Sequence, residues 1–589
     1  MSPFAGAGRI KSVRIVALIL LVVVILTIRT FSHSAEKPSI YTYTEGKTKG
    51  PWRDEFWFDK SNIEKHKQAG TANPTAASAR REREDELQYL LSLVKTHGLT
   101  NEIPWFARRL RAKYTPSAEK TQSSLVEAKT TLVAPRDFVR VRVHDATSFS
   151  ASSERDVLAL PMNGKKSSTP AEVDASALMF GVATSYSRLD YTGHPIMHDW
   201  ARWLTNGKGK SNGAGLVVAL QEATETEVAT IAAALKKLGI DATVVATPAG
   251  AKESPYAQVV TQLLRSRFRK LQQQKGDETS ADEKKGAEKK YFALVDDDVF
   301  FPSMSRLLEK LAKFSPAKEH YISMPSERAD WVVESGKTIT YGGGAVFHTP
   351  PMLDKVGQLL CLQETRQEGR RSWDNLLFDC VMKHTNATVQ VVPSLWNPAT
   401  ASPDEETDGA GYGGGSQPLT LHHYRNWHRF EAGKGHLIAS SCGDECFLQR
   451  FLFTDNWVLV NGYTLTHYQE GVEVISMQDS GRQREQNPDT KGKRPKTVLG
   501  GRLAIDKDAS HDPHSVKAIA GQGGKKTWRL LDAMVRDNGE VWQAYANRKG
   551  GGNSVAEIDD RLPSDITHND EESSDVDSVI VLIWKPDGI

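Results

Sequence analysis

The chain has 589 residues, 39% hydrophobic and 25% charged, which fits a globular protein of about three or four units. A net charge of +2 excludes bulk attraction to nucleic acid or acidic surfaces, and neither a basic stripe with interleaved aromatics nor a zinc-finger spacing is present. The expected partners therefore do not include nucleic acid.

At the N-terminus, Arg9, Lys11 and Arg14 precede the apolar run Ile15–Ile28, and Arg29 closes it. The basic flank predicts residues 1–14 as a cytoplasmic tail and 15–28 as an uncleaved signal-anchor, with the body lumenal. A cleaved signal peptide ending near Ser32–Ala35 is the competing reading. The span is short for a plasma membrane and suits the thinner membranes of the early secretory pathway. The expected localisation is the Golgi membrane, single-pass and type II.

Residues 29–170 read as a stem with scattered aromatics, such as PWRDEFWF, and Ser/Thr/Lys-rich stretches, such as NGKKSSTPAE. Within it, Arg81–Gly98 predicts an amphipathic helix, because Leu87, Leu90, Leu91 and Val94 recur at helical spacing.

From residue 171 the pattern changes. ALMFGVATS, AGLVVAL, ATVVAT and YFALV are short apolar runs, separated by helical patterns over Glu225–Leu238 and Tyr256–Phe268. Such alternation predicts an α/β domain with a mostly parallel sheet, over 171–453. The charged Lys275–Lys290 segment reads as a solvated insert. Beyond it, 454–589 predicts a β-rich C-terminal region carrying WVLVNGYTLTHY and the closing strand DSVIVLIW.

Three consecutive aspartates, Asp296, Asp297 and Asp298, follow YFALV directly. Ligands bind at the carboxyl ends of strands in such sheets, so these carboxylates are placed to hold Mn²⁺ or Mg²⁺ with a diphosphate. A plain acidic cap for the helix near Pro302 is the rival explanation. A phosphatase-type nucleophile fits less well, since Phe300 stands where that pattern needs Thr or Val, and several strands precede the motif.

Further along, Gly342, Gly343 and Gly344 mark a strand end where backbone approaches a ligand closely or turns. Asp374 sits in RRSWDNLLFDC, and His422 and His423 are adjacent after a Gly-rich loop. Cys361 and Cys380, and Cys442 and Cys446, favour two local disulfides among the three possible pairings. Asn386 heads the one clean glycosylation sequon, NAT.

Taken in order, FGVATSYSRL with Trp200 and Trp203, FALVDDDVFF, YGGGAVF, WDNLLFDC and LHHY resemble the Fringe-like β-1,3-glycosyltransferases of glycosyltransferase family 31, closest to its fungal and plant branch. The resemblance covers Ala177–Phe453 and implies a GT-A type fold with inverting transfer from a UDP-sugar to a glycan or glycoprotein. It implies Asp298 with His422 or His423 as metal ligands, and one of the two histidines as structural. Asp296 and Asp297 would help hold the metal and the ribose, and Asp374 would be the catalytic base. Trp373 and Asn375 depart from the acids of the family pattern, which bears on acceptor choice. A membrane-tethered binding protein without turnover is the alternative, distinguished by whether Asp298, Asp374 and a histidine converge.

Overall fold

The computed structural model describes residues 76–115, 125–133, 138–143, 156–163, 168–191, 194–248, 253–276, 288–323, 344–359, 361–362, 372–395, 412, 417–425, 430–475, 503–505, 518–549 and 576–586. The 15–28 run, Gly342, Gly343 and most of the Lys275–Lys290 insert lie outside these residues. Among the described residues, no helix is long and apolar enough to cross a membrane.

One sheet is the expected α/β layer. Its strands are β1 (Leu178–Ser185), β2 (Gly215–Gln221), β3 (Ala242–Ala246), β4 (Tyr291–Val295), β6 (Tyr321–Ser323), β7 (Ala345–His348), β8 (Val389–Val391) and β10 (Leu503–Ile505). They lie in the order β3-β2-β1-β4-β7-β6-β8-β10. Buried apolar runs explain this sheet, since β2 and β4 are nearly continuous Val, Leu, Ala and Phe with both faces covered. The sheet is mixed because β7 runs antiparallel between β4 and β6. The chain steps outward from β1 through β2 to β3, then returns to place β4 on the other side of β1. That reversal opens a crevice at the carboxyl ends of β1 and β4, where α/β sheets bind ligands.

The helices range from one turn to 22 residues. Helix α1 (Ala76–His97) lies in the N-terminal region, and α2 (Tyr186–Leu189) and α3 (Pro195–Leu204) follow β1. Helix α4 (Glu225–Lys237) begins with a Thr224/Glu227 capping box. Helix α5 (Pro255–Gly276) packs on β1 and β2, and α7 (Pro350–Gln358) packs on β4 and β7. Helix α6 (Met304–Leu311) is capped by Ser303, whose hydroxyl accepts from Arg306 N–H at 3.3 Å. The aspartates are therefore not its cap. Helix α8 (Trp373–His384) carries Asp374 in its first turn.

The second sheet revises the domain outline. Its strands run Leu125–Ala128, Arg450–Phe453, Trp457–Val460, Thr464–Tyr468, Lys525–Val535, Val541–Asn547, Ser578–Trp584, Glu102–Thr115 and Val139–Arg142, with Leu158–Asn163 also beside Glu102–Thr115. The region read as stem thus supplies strands to the same sheet as the C-terminal region. Glu102–Thr115 pairs in parallel with Ser578–Trp584, Trp105 opposite Val579 and Leu110 opposite Trp584. Its arginines disguise it in the sequence. Arg109 is buried, and its charge meets Glu86 at 2.8 Å and Glu82 at 3.2 Å, both on α1. Leu90 and Leu93 of α1 then pack on Trp105, Trp542 and Val581. WVLVNGYTLTHY forms a hairpin of the strands Trp457–Val460 and Thr464–Tyr468.

One continuous core joins the two sheets, with Phe106 and Tyr545 in the same cluster as Phe180 and Trp200. Both expected disulfides form, Cys361–Cys380 and Cys442–Cys446. Asn386 is exposed.

Candidate metal centre

The aspartate triplet leaves β4 in the crevice between β4 and β1. Directly after it, β5 (Val299–Phe300) pairs antiparallel with β9 (Leu421–His422), Val299 opposite His422. This two-residue ladder carries the histidine pair onto the aspartates across a long sequence separation. The Tyr412 hydroxyl donates to the His422 carbonyl at 2.9 Å and steadies it.

His422 Nε2 lies 3.2 Å from Asp298 Oδ1 and 3.3 Å from Asp296 Oδ2. His423 Nδ1 lies 3.0 Å from Asp298 Oδ2. Successive residues of a strand point to opposite faces, so both imidazoles reaching one carboxylate requires a break in the strand. His423 provides it with φ +52°, a left-handed conformation costing about 1–3 kcal/mol outside glycine. The rings stack with centroids 3.6 Å apart. Asp298, His422 and His423 each present one ligand atom, all within 4.8 Å of one another. Both histidines face the carboxylate, rather than one being set aside for structure.

Gly344 closes the site from behind. Its carbonyl accepts the Asp296 N–H at 3.0 Å, and its φ is +97°. A Cβ there would stand 3.1 Å from His422 Cγ and 3.2 Å from Val299 Cγ2, so the strand entry needs glycine.

The three carboxylates divide their work. Asp296 Oδ1 accepts from Trp373 Nε1 at 2.7 Å and from the Tyr256 hydroxyl at 3.1 Å, while Oδ2 faces His422. The Tyr256 and Trp373 rings stack with centroids 4.3 Å apart. Asp297 turns away from the cluster: Arg188 Nε and Nη2 grip its two oxygens at 2.7 and 2.8 Å, and the Thr184 hydroxyl donates to Oδ2. The sequence reading puts Asp297 on metal and ribose, whereas here its carboxylate anchors the triplet to the end of β1. Trp200 Nε1 donates to the Asp297 carbonyl at 3.1 Å, so this ring is more than core filling.

Electrostatics follow from these partners. Burial alone would raise Asp298, but the two imidazoles hold its carboxyl well below the usual carboxylate range. Burial likewise opposes ionisation of Asp296, and His422 and Trp373 outweigh it, leaving that group lowered. Asp297 is raised by burial despite Arg188. Asp374 is 5% exposed, and burial raises it against the Ser372 hydroxyl, with Asp296 adding to the rise. Its Oδ1 has no hydrogen-bond partner among the described residues. Burial and the Asp296 charge thus both raise the proton affinity of the Asp374 carboxylate.

Trp373, Tyr256 and Arg188 escape a reading by motif. Only Trp373, standing where the family pattern has an acid, gives a signal in the sequence.

No family model matches the chain, and no curated protein matches it. Solved structures similar to it include the galactosyltransferase LgtC with donor and acceptor sugar analogues, at 11% identity, 41% of this chain, 86% of that one and TM-score 0.23. The glycosyltransferase GlyE of Streptococcus pneumoniae is similar at 12% identity, with 42% and 54% of the chains covered and TM-score 0.21. Mouse xyloside xylosyltransferase 1 is similar at 12% identity, with 42% and 98% covered and TM-score 0.22. All three are glycosyltransferases, and none specifies the Fringe-like family. At TM-scores of 0.21 to 0.23 these likenesses are too loose to add to the site's own geometry.

Proposed function

We propose that this protein is a metal-dependent glycosyltransferase of GT-A type, moving a hexose or N-acetylhexosamine from a UDP-sugar to a hydroxyl of a glycan or glycoprotein. The convergence of Asp298, His422 and His423 at the crevice between β1 and β4, with buried Asp374 nearby in charge reach of Asp296, carries this reading. Two imidazole nitrogens and carboxylate oxygens fit Mn²⁺, and fit Mg²⁺ less well, since that ion prefers an all-oxygen shell. A divalent ion held there would supply charge stabilisation to a departing diphosphate.

The chain's own residues do the rest. The Asp374 carboxylate takes the proton of the acceptor hydroxyl as that hydroxyl oxygen bonds to the anomeric carbon. The bond from that carbon to the diphosphate oxygen breaks on the opposite face, inverting the centre and releasing UDP. Helix α8 holds Asp374 in place through Trp373, which is tied to Asp296 at 2.7 Å. A β-1,3 linkage, a Fringe-like family and a type II Golgi setting with residues 15–28 as anchor complete the proposal.

The test is the full-length protein with a panel of UDP-sugars, with Mn²⁺ and with EDTA. Release or transfer of one sugar with Mn²⁺, lost in EDTA, is expected. Binding of a UDP-sugar without turnover would shift the reading to a non-catalytic binding protein. No effect of Mn²⁺ or any UDP-sugar on melting would end the transferase reading.

A further inference from the structure

Helix α3 touches both halves of the centre from one pair of neighbouring residues. Trp200 holds the carboxylate half through the Asp297 carbonyl at 3.1 Å. The preceding residue, Asp199, holds the histidine half, because the two residues after His423 close on it. Asp199 Oδ2 accepts the Tyr424 hydroxyl at 2.6 Å, Arg425 Nε at 3.0 Å and Arg425 Nη2 at 2.6 Å. On its far side, Arg425 Nη1 reaches both Glu431 oxygens at 2.9 and 2.8 Å.

We infer that Asp199 and Arg425 are positioning residues that hold His422 and His423 in ligating geometry, an inference that rests on the metal-centre reading above. Three observations carry it. The turn they restrain is the strained one, with His423 at φ +52°, and a non-glycine residue stays there only when its surroundings over-determine it. The clamp is built from charges that are expensive to bury, Asp199 at 3% and Arg425 at 8% exposure. Such a pair contributes little net stability compared with an apolar replacement, so its use here is in fixing one geometry. The chain is also shaped to cover it: a Cβ at Gly433 would lie 2.0 Å from Asp199 Oδ1, so only glycine lets that backbone pass.

The consequence is a metal site assembled before the metal arrives. Removing the Asp199 charge leaves Arg425 paired with Glu431 alone and frees the 422–425 turn to relax from the left-handed conformation. His423 then swings off Asp298 first, because it follows the twist. Partners that orient metal ligands from outside the ligand shell are worth about 10–100-fold in affinity.

The test measures Mn²⁺ affinity of the full-length protein by titration with magnetic-resonance detection of free Mn²⁺, and melting in EDTA. The variants are Asp199→Asn, Tyr424→Phe and, as control, Asp298→Asn. Asp199→Asn should bind Mn²⁺ about tenfold or more weakly. Tyr424→Phe keeps the ring, removes one bond to Asp199, and should show a smaller loss in the same direction; it decides the matter if Asp199→Asn does not fold. A purely structural role would lower melting in EDTA while leaving Mn²⁺ affinity unchanged in the folded variants. That result, with Asp298→Asn abolishing binding, overturns the positioning role and leaves the metal centre standing. Undiminished Mn²⁺ binding in Asp298→Asn, or none in the wild type, overturns the metal centre and this inference together.

Discussion

His422 faces Val299 across a two-residue antiparallel ladder, and that pairing sets its Nε2 within 3.3 Å of Asp296 and 3.2 Å of Asp298. The centre is therefore backbone-registered: moving the ladder by one residue would turn His422 to the other face.

The first prediction concerns that centre. Saturating Mn²⁺ should raise the melting temperature of the wild type and leave Asp298→Ala unmoved. At a hundredfold excess over Kd, binding to the folded state alone adds about 2.7 kcal/mol. Differential scanning fluorimetry with and without EDTA reads it directly. Equal shifts in both proteins would remove Asp298 from the site.

Much of the α/β layer was legible because its strands are short apolar runs, as with YFALV, and its helices carry a helical apolar pattern, as over Glu225–Leu238. The aspartates, Asp374 and the histidines stood out as chemistry-bearing residues at strand and helix ends. What local pattern does not encode is pairing at a distance. Nothing in ARRLRAKYT announces a central strand, since its buried Arg109 becomes affordable only once Glu86 is beside it. Nor does HHY reveal that both rings turn to one carboxylate, because that depends on a single left-handed residue. Asp297 reads like its two neighbours, and only the position of Arg188 sends it elsewhere.

Asp374→Asn should separate chemistry from binding. Transfer is expected to fall by roughly 10²–10⁴-fold, the usual worth of a positioned base. Mn²⁺ affinity and the Mn²⁺-induced melting shift should stay at wild-type level. Steady-state transfer assays on the donor found in the screen, paired with Mn²⁺ titration, test this. Retained turnover would assign the proton to another group.

Arg188→Ala should destabilise the fold. It leaves Asp297, 7% exposed, without its bidentate cation, and breaking such a pair costs about 3–5 kcal/mol. Asp297→Asn with Arg188→Ala should recover part of that loss by removing the unpaired charge. Denaturant unfolding of the wild type and the two variants provides the comparison, and a double variant no more stable than Arg188→Ala alone would refute the pairing.

Asp444 gives a pH dependence away from the centre. It lies in the CGDEC loop, with the Ser303 hydroxyl, Arg202, Arg306 and Glu445 around it, and burial pushes its carboxyl up to about 7 from 3.8. A raised folded-state value means the folded protein keeps a proton that the unfolded chain has released. The stability contribution is thus fully present below the unfolded value and lost as pH rises through about 7. Within that window the slope approaches about 1.4 kcal/mol per pH unit. Urea midpoints from about pH 5 to about pH 8 should fall in the wild type and flatten in Asp444→Asn.

Glu102–Thr115 and Ser578–Trp584 are hydrogen-bonded neighbours in one sheet, although nearly the whole described chain lies between them. In synthesis the earlier strand emerges long before its partner exists, so its edge must wait unpaired while the α/β layer folds. An open edge of that kind is a template for wrong pairing with other chains. A chain cut before Ser578 would keep every residue of the metal centre and still leave that edge exposed, and its fate would be aggregation rather than a smaller active enzyme.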